Sequence, residues 1–197
     1  MLDKYYFGKV DRISPEAPVP IVNIQKEESR LGGASNVANN IVSLGGHSLL
    51  CGVIGHDLFG KEIERISRHK NIDTFLLKTS SPTITKARII GGKQQIVRVD
   101  YEDKSELNAD NKKLFRDTIS RILPEYDILV ISDYGKGLIS EDLCRYLIKL
   151  AHKYDKKVII DPKGKNWEKY SGADIVTPNV KELSDIVGYT VPNTDRA

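Results

Sequence analysis

The chain has 197 residues, of which 40% are hydrophobic and 29% are charged, so it is long enough to bury one substantial core. Its formal net charge of +3 is small and dispersed, which excludes the strongly basic composition typical of nucleic-acid-binding proteins. No apolar run approaches the roughly 18 residues of a membrane span, and the N-terminus has no signal-peptide core. We therefore expect a cytoplasmic globular protein without a nucleic-acid or membrane partner.

The cysteines and histidines give no sign of a disulfide framework or of a metal–histidine centre. Cys51 lies in an apolar run and Cys144 lies in a helical pattern, which is typical of buried free thiols. The four histidines lack the spacing of metal ligands. Neither residue type therefore predicts the chemistry of this protein.

A glycine pair opens the stretch around which the other motifs are arranged. Gly32 and Gly33 precede a helix that apolar periodicity predicts over residues 34–44. Gly45 stands where a left-handed C-terminal cap is expected. Bare backbone N–H groups at the start of such a helix suit an anion or a polyol. A tight turn that lets two backbone segments approach is the alternative, and the pair alone does not decide between them.

The first 30 residues predict extended chain with little regular structure. Pro15, Pro18 and Pro20 are incompatible with a regular helix. A short strand is expected over residues 21–24, ending at a charged cluster. No strand is expected to carry Asp3.

Two β-rich runs around a Gly-Gly pair predict a β-hairpin over residues 83–101. Period-two alternation places Lys86 and Arg88 on one face of the first strand. It places Arg98 and Asp100 on one face of the second strand. If the two faces coincide, the hairpin presents cationic side chains to a ligand. A solvated outer face is the alternative, and the pattern leaves both open.

Helices and strands alternate along much of the chain, which predicts an α/β fold. The expected elements are a strand (49–55), a helix (61–68), a helix (110–123), a strand (128–131), a helix capped by Ser140 (141–151), a strand (158–160), a strand (174–177) and a helix closed by Gly188 (180–187). Fully apolar strands favour a mainly parallel sheet covered by helices on both faces. The β-rich segments at about residues 10–30 and 83–101 interrupt this pattern and predict a small projecting sheet that acts as a lid.

Polar and cationic residues follow three successive strands of the predicted parallel sheet. Asp133 and Lys136 follow the first of these strands. Asp161 and Lys163 follow the second, and Asn179 follows the third. Because open α/β sheets bind ligands at the carboxyl ends of their strands, we expect these residues and the lid to converge on one groove. A cation beside a carboxylate suits a phosphate or a negatively charged transition state, although turns alone also favour Asp, Asn and Gly.

Seven motifs distributed over nearly the whole chain carry a resemblance to a known family. They are Asp3 with Tyr5 and Tyr6, the run Arg12-Ile13-Ser14-Pro15-Glu16-Ala17-Pro18-Val19, Gly32-Gly33-Ala34-Ser35-Asn36, Gln94-Gln95 with Arg98 and Asp100, Ser132-Asp133-Tyr134 with Lys136-Gly137, Asp161-Pro162-Lys163-Gly164, and Thr177-Pro178-Asn179 through Glu182. In this combination the chain resembles the D-glycero-β-D-manno-heptose-7-phosphate kinases, a branch of the ribokinase (carbohydrate kinase) family. The Arg-Ile-Ser-Pro-Glu-Ala-Pro run separates this branch from other ribokinases.

The resemblance implies an enzyme with a ribokinase-like fold that transfers a phosphoryl group from ATP, with Mg²⁺, to the anomeric hydroxyl of a heptose 7-phosphate, a step toward ADP-heptose for lipopolysaccharide. The substrate-binding residues that it implies are Asp3, Gly33, Asn36, Lys86, Arg88, Arg98, Asp133 and Lys136. The nucleotide-binding residues that it implies are Lys163, Asn179, Val180, Lys181 and Glu182. Glu182 is also expected to reach the metal ion through water, and we expect a homodimer formed through the lid.

Two elements of the family pattern are not found in these 197 residues. A strand ending in Gly-Asp would precede Met1, and a Gly-Ala-Gly-Asp motif with the catalytic aspartate would follow Asn179. We therefore expect a single partial ribokinase-like domain over residues 1–197, truncated at both ends and without kinase activity by itself. A non-catalytic sugar-phosphate-binding protein and a dimerisation module stay open as alternatives.

Overall fold

The computed structural model describes residues 1–103 and 105–192. The chain divides into two compact units, unit 1 (Met1–Asp103) and unit 2 (Lys104–Ala197). Each unit buries its own set of hydrophobic side chains. The single partial domain over residues 1–197 stays a prediction. Among the described residues, no helix has the length and apolar character that crossing a membrane requires.

Unit 1 is built around a four-stranded sheet. Its elements are β1 (Leu2–Ile13), β2 (Pro20–Leu31), α1 (Ala34–Ser43), β3 (Leu49–Gly55), α2 (Leu58–His69), β4 (Asp73–Thr79), β5 (Thr85–Gly91) and β6 (Gln94–Tyr101). The strand order is β2-β1-β5-β6, with antiparallel hairpins β1–β2 and β5–β6 joined by the parallel pair β1–β5. β3 and β4 form a separate parallel pair.

The first hairpin is longer than the sequence predicts. β1 contains Asp3, and β2 continues through the charged cluster 26–28. The predictions of a short strand over residues 21–24 and of no strand at Asp3 are therefore wrong. β2 accepts charge because it is an edge strand, where side chains reach solvent and pair with their neighbours. Lys4 Nζ, for example, lies 2.8 Å from Glu27 Oε2.

The second hairpin matches its prediction. β5 and β6 pair in antiparallel register within the predicted range 83–101. The lid segment expected at about residues 10–30 belongs to the first hairpin, and both segments lie in the same sheet. We call this four-stranded sheet the lid sheet. Its role as a lid stays a prediction.

The core of unit 1 packs α1 and α2 against strands. Its buried residues are Leu2, Leu31, Ala38, Leu50, Ile54, Ile63 and Ile72. Gly45 has a φ of 88°, as expected for the residue that ends the turn after α1. Leu44, which the sequence places on the buried face, is 89% exposed because α1 ends at Ser43, one residue before it.

A carboxylate joins the start of α2 to the chain that leads into β5. Asp57 Oδ1 accepts from the Gly60 N–H and from the Thr83 hydroxyl, and Oδ2 accepts from the Thr83 N–H, each at 2.7 Å. The Gly55 N–H donates to Thr83 Oγ1 at 2.8 Å. Burial by itself would raise the pKa of Asp57, but the hydrogen bonds from Thr83 and Gly60 outweigh it and hold the pKa below its ordinary value. We call these four residues the Asp57 clamp.

Unit 2 has the predicted alternation of helices and parallel strands. Its elements are α3 (Ala109–Ile122), β7 (Ile128–Ser132), α4 (Glu141–Lys153), β8 (Lys157–Asp161), β9 (Ile175–Val176) and α5 (Val180–Val187), with short 3₁₀ turns at Leu123–Glu125 and Glu168–Tyr170. The sheet order is β7-β8-β9, all parallel. The helical spacing of Leu143, Leu147, Leu150 and Ala151 predicts the buried face of α4, and all four are buried. Gly188 closes α5 with a φ of 78°.

One face of the unit 2 sheet is buried, and the other carries exposed apolar side chains. Val158 and Ile160 are fully buried on the face that α4 covers. Val130 and Ile175, which point to the opposite face, are 37% and 51% exposed. α3 packs beside α4. Helices on both faces of this sheet stay a prediction.

Candidate functional site

One face of the lid sheet carries charged side chains from several strands. Lys86 lies opposite Asp100 in the β5–β6 register. Arg88 lies opposite Arg98, so the two predicted charged faces coincide. Asp3 on β1 lies beside Lys86 in the parallel register. We call this surface, defined by Asp3, Lys86, Arg88, Arg98 and Asp100, the polar face.

An ion pair between β1 and β5 lies on the polar face. Arg88 Nη1 donates to Asp3 Oδ1 at 2.7 Å, and the two side chains are 22% and 19% exposed. The hydrogen bond with Asp3 raises the pKa of Arg88, so the guanidinium stays charged. The guanidinium carbons of Arg30 and Arg88 lie 4.9 Å and 5.2 Å from the centre of the Tyr5 ring. The aromatic ring therefore holds two cations close to one carboxylate.

The glycine pair lies against the same carboxylate. A Cβ atom on Gly32 would stand 2.3 Å from Asp3 Oδ2, so this approach requires glycine. The Gly32 N–H donates to the Met1 carbonyl at 3.0 Å, and the Ser35 hydroxyl donates to the Gly32 carbonyl at 2.7 Å. Gly33 is the N-cap of α1 with a φ of 56°. The tight turn and the ligand site are thus compatible, because the turn brings the start of α1 to Asp3.

The other predicted substrate residues of unit 1 differ in their surroundings. Asn36 is exposed in the first turn of α1, and Lys86 is half-buried on the polar face. Arg98 Nε lies 2.8 Å from Asp100 Oδ1, and Arg98 Nη2 lies 3.0 Å from Oδ2. Both guanidinium groups thus have a carboxylate partner, but the Arg88 side chain is 22% exposed and that of Arg98 is 48% exposed. Because a less solvated cation binds an anion more strongly, Arg88 and the half-buried Lys86 are the stronger candidates for a phosphate contact.

Asp133, which the sequence assigns to the sugar, lies inside unit 2. It is 3% exposed. Its Oδ2 atom accepts from the Tyr170 hydroxyl at 2.8 Å and from Lys169 Nζ at 2.5 Å, and Oδ1 accepts from the Gly135 N–H at 2.7 Å. Donors of the chain itself surround this carboxylate, and the predicted contact between Asp133 and the sugar stays a prediction. Lys136 is half-buried in the same loop.

An ion pair joins the end of β8 to the start of α5. Lys163 Nζ donates to Glu182 Oε1 at 2.7 Å, and the side chains are 50% and 13% exposed. The hydrogen bond from Lys163 lowers the pKa of Glu182, and the same contact raises the pKa of Lys163. Both groups are therefore charged at neutral pH.

The start of α5 is closed by a reciprocal capping box. Asn179 Oδ1 accepts from the Glu182 N–H at 2.9 Å, and Glu182 Oε2 accepts from the Asn179 N–H at 3.1 Å. The two hydrogen bonds of the capping box do not use the backbone N–H groups of Val180 and Lys181, which lie at the positive end of the helix dipole. The structure therefore brings Lys163 together with the four predicted residues of α5.

Lys169 and Tyr170, near this end of unit 2, were not predicted to act there, because they lie in a short segment without periodicity. Asp161 was among the polar residues expected at the strand ends. Asp161, at the end of β8, accepts from the Ser132 hydroxyl at 3.3 Å, and burial raises its pKa. The only signal for Lys169 and Tyr170 was their position shortly after a strand end rich in charge.

The surroundings of Lys163 and Glu182 fit a nucleotide phosphate with a hydrated Mg²⁺ ion. An amine and backbone N–H groups at a helix start suit phosphate oxygens, and a carboxylate one turn into the helix suits metal-bound water. Within residues 1–103 and 105–192, no three His, Cys, Asp or Glu side chains are grouped to hold a metal ion by themselves. The single groove expected from the sequence stays a prediction.

A comparison with protein families decides the class of this chain. The profile described as pfkB family carbohydrate kinase matches residues 5–196. The chain belongs to the pfkB family of carbohydrate kinases. The match spans nearly all of its length, so the resemblance to ribokinase-type kinases is confirmed.

Curated relatives of this pfkB-family chain include heptose kinases. It is 47% identical over 183 residues to the "Bifunctional protein HldE" of Helicobacter pylori (strain P12), and the match covers 92% of this chain and 40% of that protein. It is 44% identical over 189 residues to the "D-beta-D-heptose 7-phosphate kinase" of Bordetella bronchiseptica, which covers 95% of this chain and 59% of that protein. The chain therefore spans less than two thirds of the length of these relatives.

Solved structures of carbohydrate kinases share the fold. The tetrameric inhibited form of phosphofructokinase-2 from Escherichia coli matches with a TM-score of 0.73 at 22% identity, covering 98% of this chain and 63% of that one. A carbohydrate kinase from Agrobacterium tumefaciens matches with a TM-score of 0.70 at 18% identity, covering 95% of this chain and 60% of that one. These likenesses confirm the predicted ribokinase-like α/β fold.

Proposed function

We propose that this chain is part of a kinase that transfers the γ-phosphate of ATP to the anomeric hydroxyl of D-glycero-D-manno-heptose 7-phosphate, a step toward ADP-heptose and lipopolysaccharide. The observation that carries the proposal is the 44% identity over 189 residues to a D-beta-D-heptose 7-phosphate kinase, supported by 47% identity to a bifunctional HldE protein. ATP as the phosphoryl donor also supports a cytoplasmic location.

The sugar is held by unit 1 in this proposal. The Asp3 carboxylate accepts hydrogen bonds from sugar hydroxyls, and Gly33 and Asn36 contribute from the start of α1. Arg88 and Lys86 face the 7-phosphate, because a guanidinium in a fixed orientation suits a phosphate group. The ion pair with Asp3, at 2.7 Å, supports this role because it fixes the direction of Arg88 before the ligand arrives. Arg98 contributes less, because its side chain is more exposed to water than that of Arg88.

The nucleotide is held by unit 2. Lys163 and the N–H groups of Val180 and Lys181 bind phosphate oxygens, and Glu182, positioned by Asn179, holds water of the metal ion. When bound, Mg²⁺ neutralises charge on the phosphates during transfer. The buried Asp133 is left out of direct contact with the substrate.

The 197-residue chain by itself is expected to bind the sugar phosphate without consuming ATP. The family resemblance assigns the catalytic base to a Gly-Ala-Gly-Asp motif, and the 197 residues contain no such run. A coupled assay of ADP release, with ATP, Mg²⁺ and heptose 7-phosphate, should show no increase over the rate without sugar. Sugar-dependent turnover in the range typical of kinases, above about 1 s⁻¹, would contradict this expectation. Calorimetric titration of the same sample with heptose 7-phosphate should still give a saturable binding curve, and a flat curve would remove the sugar-binding proposal.

A homodimer through the lid sheet is part of the proposal. The face of the lid sheet opposite the polar face carries Val10, Ile24, Val97 and Val99, which are 41%, 38%, 45% and 40% exposed. An exposed apolar strip of this kind is typical of an association surface. In this proposal the polar face of the lid sheet binds the sugar phosphate, and its apolar strip contacts a second copy of the chain.

Val97→Asp is expected to abolish the dimer, because it places a charge in the apolar strip. Sedimentation equilibrium should give twice the monomer mass for the native chain and the monomer mass for the variant. Val187→Asp, at an exposed site in α5, is the matched control and should stay dimeric. A native chain that is monomeric at high micromolar concentration would contradict the proposal. A point substitution is preferable to deleting residues 83–101, because β5 lies inside the sheet.

A further inference from the structure

A buried group of charged and polar side chains in unit 2 has no role in the proposed chemistry. Asp133, Lys169 and Tyr170 are tightly packed, with side chains or whole residues between 2% and 15% exposed. Removing a carboxylate and an ammonium from water is costly, so the arrangement needs a compensating role in structure or function. Its position after β7 and β8 indicates what that role is.

The Tyr170 hydroxyl joins this group to the backbone of Lys163. It accepts from the Lys163 N–H at 2.9 Å and donates to Asp133 Oδ2 at 2.8 Å. Lys169 Nζ lies 2.5 Å from the same Asp133 oxygen and 4.9 Å from the centre of the Tyr170 ring. The Lys163 carbonyl oxygen lies 3.2 Å from the same hydroxyl, so Asp133 Oδ2 is the nearer of its two acceptors, and Asp133 is itself held by a cation.

The connection continues to the start of α5. The residue whose N–H the Tyr170 hydroxyl binds is Lys163, and its Nζ lies 2.7 Å from Glu182 Oε1. Asp133 after β7 is therefore connected to Glu182 in the first turn of α5 by hydrogen bonds to the backbone N–H and to the side-chain amine of Lys163. Residues that hold a ligand-binding side chain in one orientation commonly change the affinity of the site for its ligand.

We propose that Asp133, Lys169 and Tyr170 are positioning residues that aim the Lys163 amine at Glu182 and at the nucleotide phosphates. Through Lys163 they act on a ligand that none of them touches. The proposal rests on the proposed nucleotide site for its last step only, because the Lys163–Glu182 contact itself can be measured without nucleotide. It also assigns a function to the buried Asp133 that replaces the sugar contact expected from the sequence.

The test measures the carboxyl pKa of Glu182 by ¹³C NMR in the full chain with labelled glutamate, the signal being assigned with Glu182→Gln. The native pKa lies below the ordinary value because Lys163 donates to the carboxylate. Lys163→Met should raise the pKa of Glu182 toward its ordinary value. This rise measures the effect of losing the Lys163 amine altogether. Tyr170→Phe should give most of that rise, while Tyr154→Phe, a half-buried tyrosine outside the group, should give none. If Tyr170→Phe folds and its Glu182 has the same pKa as in the native chain, the proposal is overturned.

A second variant and a second ligand keep the result interpretable. If Tyr170→Phe does not fold, Asp133→Asn preserves the shape and must raise the pKa of Glu182 in the same direction, and an unchanged value overturns the proposal. Titrations with Mg·ADP and with adenosine form the second arm. Tyr170→Phe should weaken ADP binding about tenfold, as Lys163→Met does, and leave adenosine binding unchanged. A native chain that binds no ADP contradicts the proposed nucleotide site, while the NMR arm still decides on the positioning role.

Discussion

Replacing Asp3 by asparagine is expected to weaken the binding of heptose 7-phosphate about tenfold to a hundredfold, the range for losing hydrogen bonds to a charged group. The substitution keeps the shape of the side chain against Gly32 but removes the charge that holds Arg88 at 2.7 Å. Both the acceptor for sugar hydroxyls and the orientation of the guanidinium are lost. Isothermal titration calorimetry on the native and variant chains measures the effect.

The control for this substitution lies on the same strand. Asp11→Asn removes an exposed carboxylate of β1 and should leave the affinity unchanged. Gly32→Ala changes the same site sterically. The added methyl group would stand 2.3 Å from Asp3 Oδ2 and must displace the carboxylate. It should weaken binding at least as much as Asp3→Asn. Native affinity in both variants would remove Asp3 from the sugar site.

Asp57→Ala is expected to lower the free energy of unfolding of unit 1 by about 3 kcal/mol. The carboxylate caps α2 through Gly60 and also accepts two hydrogen bonds from Thr83. Its removal leaves the N–H and hydroxyl groups of Thr83, which is 1% exposed, without their acceptor. Native-state hydrogen exchange of the amides in β3 and α2, measured over a urea series, gives the change.

A second helix cap provides the comparison. Asn108 caps α3 through one hydrogen bond, from the Asn111 N–H at 2.8 Å, so Asn108→Ala should cost about 1 kcal/mol in its own unit. Equal losses for the two variants would mean that the Asp57 clamp adds nothing to an ordinary cap. Because folding lowers the pKa of Asp57, its contribution is fully present above the unfolded-state pKa of about 3.9. The difference between native chain and Asp57→Ala should shrink as the pH falls from there through the lower folded-state pKa.

The parts of the fold that the sequence predicted are those whose signal is local. The stripe of α4, the end of α5 at Gly188 and the hairpin β5–β6 are each encoded within one continuous segment. The hairpin β1–β2 was underestimated because its strands carry many charges, which are acceptable at a sheet edge but do not give the alternation of a half-buried strand. β4 was missed because, of its seven residues, Leu77 alone is buried.

The same distinction applies to the candidate site. Asn179 and Glu182 were assigned through the family resemblance, and the structure adds the capping box that joins them. Period-two alternation put Arg88 on the same face as Lys86. The contact of Gly32 with Asp3 depends on a pairing between distant segments, which spacing along the chain does not contain. The burial of Asp133 was not predictable, because an aspartate at a strand end suits a ligand, a turn and a buried anchor equally well.

The most direct test of the central claim, that unit 1 binds a sugar phosphate through the polar face and the start of α1, is a ¹H–¹⁵N chemical-shift titration of the full chain with heptose 7-phosphate. We expect saturable shifts at Asp3, Gly33, Asn36 and Arg88. The amides of the apolar strip, such as those of Val97 and Val99, should not move. Saturable shifts confined to other surfaces, or no saturable shifts at millimolar sugar phosphate, would contradict the account.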